Sequence, residues 1–198
     1  MRGKRRQHTG LHSGALCLLG LAATACGSTA GLVEDLDPVT GVTTTRSSVP
    51  FVLYRDNSGQ AAYARDYVYM GPISVNRMGS YRYYIWLGVW STMRAQAGSD
   101  QRDGFETITV FVDGEPLSLD LHGWTADAIG LSVSPYPAPV ASAADAFYEV
   151  TIDQIRLIGE AREVRIYAGV AAPATYEPWD SQAMAQAGWR RFVEEIGY

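Results

Sequence analysis

Apolar and polar positions alternate with a period of two along most of this chain, and helical spacing shows only near its end. A period of two puts successive side chains on opposite faces of a strand. Residues 51–54 read as a short strand, closed by the turn cluster Asp56-Asn57-Ser58-Gly59. Residues 65–75 read as the next, with Tyr67, Val68 and Tyr69 favouring the extended backbone. Gly71-Pro72 predicts a bulge or an edge position within it.

Residues 81–92 give the strongest signal. One face carries Tyr81, Tyr83, Ile85, Leu87 and Val89; the other carries Tyr84, Trp86, Gly88 and Trp90. Both faces are apolar, which predicts a central strand covered on both sides. Residues 105–112 and 117–121 flank Asp113-Gly114, a turn pair of β-hairpins, although Glu115-Pro116 leaves the turn type open. Residues 128–133 read as a further strand, 134–139 as a stiff proline-rich connection, and 147–150 as a strand. Thr151 with Gln154 fits a capping box. Ile152, Ile155 and Ile158 then predict a helix. Residues 163–168 alternate as a half-buried strand. Asp180 is placed to cap a last helix, whose Ala185, Gly188, Trp189, Phe192 and Ile196 share one face. The fold class expected is mainly β: an antiparallel β-sandwich or twisted sheet with one short internal helix and a C-terminal helix.

The first 48 residues show no such pattern. Arg2, Lys4, Arg5 and Arg6 make a basic start, and residues 15–25 carry no charge and are mostly apolar. That run is too short to span a bilayer, which takes about 20 apolar residues. Small residues in Leu21-Ala22-Ala23-Thr24-Ala25 lead to Cys26. The segment resembles the signal and lipobox of a bacterial lipoprotein precursor. It departs from the usual pattern in carrying Ala23 where Leu is common, with Leu21 two places earlier. The resemblance implies that residues 1–25 are removed and that Cys26 is lipidated on its thiol and often on its new amine. Two or three acyl chains anchor stably, each buried CH2 contributing about 0.8 kcal/mol. Gly27 in place of Asp resembles the outer-membrane default of enteric-type lipoproteins. The expected location is therefore the cell envelope, lipid-anchored at the outer membrane and facing the periplasm. Residues 26–48, rich in Gly, Ser and Thr with Glu34, Asp35, Asp37 and Pro38, are expected to be a flexible tether. Residues 49–198 are expected to form a single β-rich domain.

Beyond the leader, 12 arginines face 21 acids, a net charge of −9, and no lysine remains. An acidic chain without a basic run argues against a nucleic-acid partner. Cys17 leaves with the leader and Cys26 is the anchor, so no thiol remains for a disulfide or a zinc site. Neither a dinucleotide nor a phosphate-loop fingerprint occurs, and no second ligand stands at metal-binding spacing from a histidine. No cofactor and no metal are expected. His122 is the one histidine beyond the leader. If alternation holds, Asp120 shares its face, and the two become candidates for a base and its orienting acid. Tyr84, Trp86 and Trp90 are candidates for lining a small-ligand site, with Tyr136 and Trp179 as further aromatic surface. These features favour a non-catalytic binding or assembly role, with the membrane and an envelope protein as partners. Two alternatives remain: a periplasmic hydrolase of glycan or peptide, and a small-ligand carrier.

Overall fold

The structure, a computed structural model, describes residues 31–59, 61–93, 101–169 and 174–197. The leader and Cys26 lie outside them. The chain runs through β1 (Leu32–Asp37), β2 (Val42–Ser47), β3 (Phe51–Asp56), β4 (Arg65–Arg77), β5 (Ser80–Ser91), β6 (Thr107–Val112), β7 (Glu115–Asp120), β8 (Ala144–Val150), α1 (Ile152–Glu160), β9 (Val164–Ala168), β10 (Ala174–Pro178) and α2 (Ala183–Ile196). The protein is mainly β, and the strand pairings are antiparallel.

The 13-residue β4 is the spine. Along one edge, its residues 65–70 pair with β3 and its residues 73–76 with β2. Along the other edge its whole length pairs with β5, which pairs in turn with β8. From β3 the sheet continues through β10, β9 and β6 to β7. Just past β7, Gly123 bridges Phe147 of β8, and the His122 N–H donates to the Phe147 carbonyl at 2.8 Å. The path β3–β4–β5–β8–β7–β6–β9–β10 therefore returns on itself. The twist of the strands has curled the sheet into a ring.

The ring encloses the main core. Leu53, Val68, Met70, Ile85, Leu87, Val110, Ile166 and Tyr148 join Ile155 and Ile158 of α1 and Trp189 and Phe192 of α2. Thr151 caps α1 as expected: its hydroxyl accepts from the Gln154 N–H, and Gln154 Oε1 accepts from the Thr151 N–H. A second core lies on the outer face. Val42, Ile73, Val75, Tyr84, Trp86 and Phe147 are covered there by Ile129, Leu131 and Tyr136. Both faces of β5 are thus buried, as its apolar pattern requires.

Three expectations are corrected and a fourth holds in part. Residues 32–47 are not a tether: they form the β1–β2 hairpin, paired to β4 and packed against α2. Val42 and Ser47 are fully buried, and the run of β-branched threonines suits a pleated strand better than a solvated linker. Residues 128–133 are not a strand. Ala126–Ile129 forms a 3-10 turn closed by Gly130 at φ 81°. Its apolar residues serve as a lid on the outer face. Gly71-Pro72 makes no bulge, and β4 is not an edge strand, yet the pair occupies a local edge position. Pro72 lies where β3 hands β4 over to β2, so it has no strand partner on that side, and its carbonyl accepts from the Tyr136 hydroxyl at 3.2 Å. Gly71 is needed because a Cβ there would stand 2.3 Å from that same oxygen. Lastly, Asp180 does not cap α2. Gln182 occupies the cap position, and its side chain is bonded instead to both backbone groups of Val52. The strand β10, unmarked by the hydropathy pattern, fills the gap between β9 and β3.

Candidate functional site

The outward residues at the start of β4 form an aromatic face. Cross-strand register places Tyr54 beside Tyr67, and Tyr67 beside Trp90. Directly opposed side chains lie on one face about 5 Å apart at Cβ, so their rings meet. Tyr67 stacks on Trp90 with centroids at 4.5 Å and planes within 14°. Tyr69 meets Trp90 at 6.5 Å. Trp179, fixed just past β10 by its N–H to the Val52 carbonyl, meets Tyr54 edge-on at 4.9 Å and Tyr67 at 5.5 Å. The Arg65 guanidinium lies 4.8 Å from the Trp179 ring and 5.7 Å from Tyr54, a cation–π arrangement.

Arg65 also bonds Asp56 at 3.0 Å. That hydrogen bond, and a second with Tyr67, hold its pKa above the usual arginine value. On the opposite face of the sheet, Arg55 and Asn57 both donate to Asp66 Oδ2, at 2.7 and 3.0 Å. The Arg65–Asp56 pair borders the aromatic face, and Trp179 keeps 43% of its surface open to solvent. Tyr67 and Tyr69 could have been found in the sequence from their i, i+2 spacing. Their meeting with Tyr54 and Trp179 depends on pairings across distant strands.

The three residues proposed as a ligand site do not meet at one opening. Tyr84 and Trp86 are fully buried. Trp86 stacks on Tyr136 at 4.5 Å and donates to Asp145 at 2.9 Å. Tyr136 is itself buried under the Arg46 guanidinium. The Tyr84 hydroxyl lies buried with no hydrogen-bond partner among the described residues, and burial pushes its pKa up. Of the three, Trp90 alone belongs to the aromatic face.

The chain, compared with protein-family models, with curated proteins and with solved structures, matches none of them.

His122 and Asp120 do not pair, which corrects the expectation drawn from their spacing. Asp120 accepts from the Thr107 hydroxyl at 2.9 Å across the β6–β7 hairpin. His122, past the strand end where alternation no longer holds, turns to β8. Its Nδ1 lies 3.4 Å from Glu149 Oε2 and its Nε2 3.2 Å from the Ala128 carbonyl. Glu149 is in turn held by Arg82 through two hydrogen bonds of 2.8 and 3.0 Å. Both ring nitrogens of His122 face acceptor oxygens. That arrangement suits a donor bracing the seam of the ring rather than a general base.

Among the described residues, no three His, Cys, Asp or Glu side chains are grouped to hold a metal ion. No helix among them is long and apolar enough to cross a membrane. A groove of about 360 Å³ between α1 and α2 is lined by Arg156, Glu160, Arg190 and Glu194, and its lining includes neither His122 nor a residue of the aromatic face.

Proposed function

We propose that this protein is an envelope lipoprotein, anchored through Cys26, whose role is to bind a protein partner on the aromatic face of β3, β4 and β5. The observation that carries this reading is the composition of that face. Trp90, Trp179, Tyr54, Tyr67 and Tyr69 surround Arg65, and tryptophan, tyrosine and arginine are the residues that dominate interface hot spots. The rings are ordered by packing on one another and on Arg65, itself held by Asp56, so little side-chain entropy remains to be lost on binding. The leader and its cysteine support the membrane anchor, and an anchor raises the effective concentration of a face near its partner.

Two comparisons test the reading. Cys26→Ala should abolish processing before residue 26 and release the protein from detergent-dependent membrane association. Unchanged behaviour of that variant would remove the anchor. For the binding role, the lipidated protein is recovered from envelope membranes beside Trp179→Ala, Arg65→Glu and the remote Leu157→Ala. A co-purifying protein should be lost with the first two and kept with the third, all three variants retaining the wild-type melting transition. A partner set indifferent to the aromatic face would overturn the proposal, as would a measured turnover abolished by His122→Ala in a folded protein.

A further inference from the structure

Five of the large apolar side chains that stand exposed lie at one end of the sheet. Leu36 and Val39 belong to the β1–β2 hairpin tip, Met78 and Tyr81 to the β4–β5 turn, and Val133 to the loop after the 3-10 turn. Each is more than half exposed, and Met78 is completely so. The register brings them together: Leu36 pairs with Thr43, Thr43 with Asn76, and Asn76 with Tyr81. Val133 is drawn in because Ser132 bonds Asp37 through both its N–H and its hydroxyl. Arg77 ties the same loop down through the Gly130 carbonyl.

The charge pattern at this end differs from the rest of the chain. The three turn segments, residues 38–41, 77–80 and 130–133, contain no acid, and Arg77 is their one charged residue, while the exposed Asp35 and Arg82 stand one rung back from the tip on the rung of Thr44 and Val75. Met78 is also at odds with its own backbone. It sits at φ 51°, followed by Gly79 at φ 87°. A two-residue turn with positive φ at both positions favours Asn or Asp before Gly. Methionine gains nothing from that conformation and exposes its whole side chain to water. A residue that suits neither the turn nor the solvent points to a different medium around it.

The chain leading to Cys26 says which medium. Gly31 is held to Ser48, its N–H donating to the Ser48 hydroxyl at 3.0 Å. Five residue steps separate Cys26 from Gly31, and at 3.3–3.6 Å each they reach at most about 18 Å. The six residues of β1 rise about 17 Å from base to tip at ~3.4 Å per step. The leash is therefore short enough to keep the domain on the bilayer and long enough for the hairpin tip to reach it.

We infer that the apolar end formed by Leu36, Val39, Met78, Tyr81 and Val133 docks into the interface of the same bilayer that holds the acyl chains of Cys26. The inference rests on the lipoprotein reading. It goes beyond it by assigning the face that meets the lipid. Apolar side chains then enter the headgroup boundary while Arg77 meets phosphate. With this end on the membrane, the long axis of β4 holds the aromatic face at the far end, toward the periplasm.

The test uses the full lipidated chain in vesicles of phosphatidylethanolamine and phosphatidylglycerol. Beyond the acylated Cys26 there is no native thiol, so Val39→Cys, Met78→Cys and Ser58→Cys each take one environment-sensitive dye. Ser58 lies in the β3–β4 loop at the opposite end of β4. Lipid-borne quenchers should quench the dye at 39 and 78 at least threefold more than at 58. Adding Met78→Asn to the Val39→Cys chain should reduce that quenching severalfold, with the melting temperature unchanged or raised. Membrane-bound protein whose three positions are quenched alike would overturn the inference. So would a dye shift at 39 or 78 that grows with protein concentration in the absence of lipid, which would mark the end as a contact between copies. Failure of the lipoprotein reading looks different: position 26 itself takes the dye, and the chain does not float with the vesicles.

Discussion

The Asp37 carboxylate joins two segments 95 residues apart in the chain. It accepts from the N–H and hydroxyl of Ser132 and from the N–H groups of Val39 and Thr40. The Ser132 N–H contributes most to holding its carboxyl well below the usual carboxylate range. Burial opposes this, and the Ser132 hydroxyl and the two hairpin N–H groups add to it. A carboxyl depressed in the folded state stabilises above its unfolded value of about 3.9, and that contribution is lost as the pH falls below it. Asp37→Asn should therefore lower the melting temperature at pH 7. The difference from wild type should shrink as thermal scans move from pH 5 toward pH 2. Tyr84 offers the opposite case. Its buried hydroxyl bonds nothing among the described residues, so Tyr84→Phe should leave stability within about 1 kcal/mol of wild type or raise it. A marked loss in thermal denaturation would mean that the hydroxyl meets a group beyond those described. The residue scale is also where the sequence is least legible. Nothing in the spacing of Asp37 and Ser132, or of His122 and Glu149, announces their meeting, because Ser132 sits in the lid loop folded over the outer face and His122 meets β8 only across the seam of the ring.

At the scale of elements, α2 binds the fold through one stripe. Trp189 and Phe192 are fully buried, and Trp189 meets Phe51 at a centroid distance of 5.2 Å. Phe192→Ala should cost about 3–5 kcal/mol, the usual range for removing a buried ring, and chemical denaturation followed by circular dichroism would measure it. A helix free to serve as a separate partner-binding element would show no such loss. This stripe was legible because helical spacing exposes a buried face directly. So was β5, whose two apolar faces require two covering layers, and so was the β6–β7 hairpin. Its Asp113 and Gly114 both take positive φ, 51° and 92°, as a primed turn demands. The β1–β2 hairpin was hidden because Thr, Ser and Gly between acids look like a solvated linker. Four of its residues are buried all the same, Asp37, Val42, Thr44 and Ser47, and three of them are polar. The lid over 126–136 was misread for a related reason. An apolar run fits a strand and a packed irregular loop equally well, and only the sheet beneath decides.

At the scale of the whole molecule, the ring has one weak place. Between β7 and β8 the described pairing is the bridge of Gly123 to Phe147, with the His122 N–H on the same carbonyl. Every other junction of the ring is a strand ladder. Native-state hydrogen exchange should find the amides of His122 and Gly123 opening before those of β5, because local opening begins where few bonds must break. Equal protection at both would show the ring to open as one unit. The other junction worth following is that of β3 with β10, residues 53–54 against 177–178. Ribosomes deliver the first of these long before the second. Until then β3 presents a bare edge, of the kind that invites pairing with other chains. Closure thus waits for β10, and contacts so distant in sequence form slowly. Late completion has a consequence. A polypeptide that cannot finish its barrel until β10 arrives stays an open, pliable sheet while the strands between are being made, and becomes rigid only once that strand has seated.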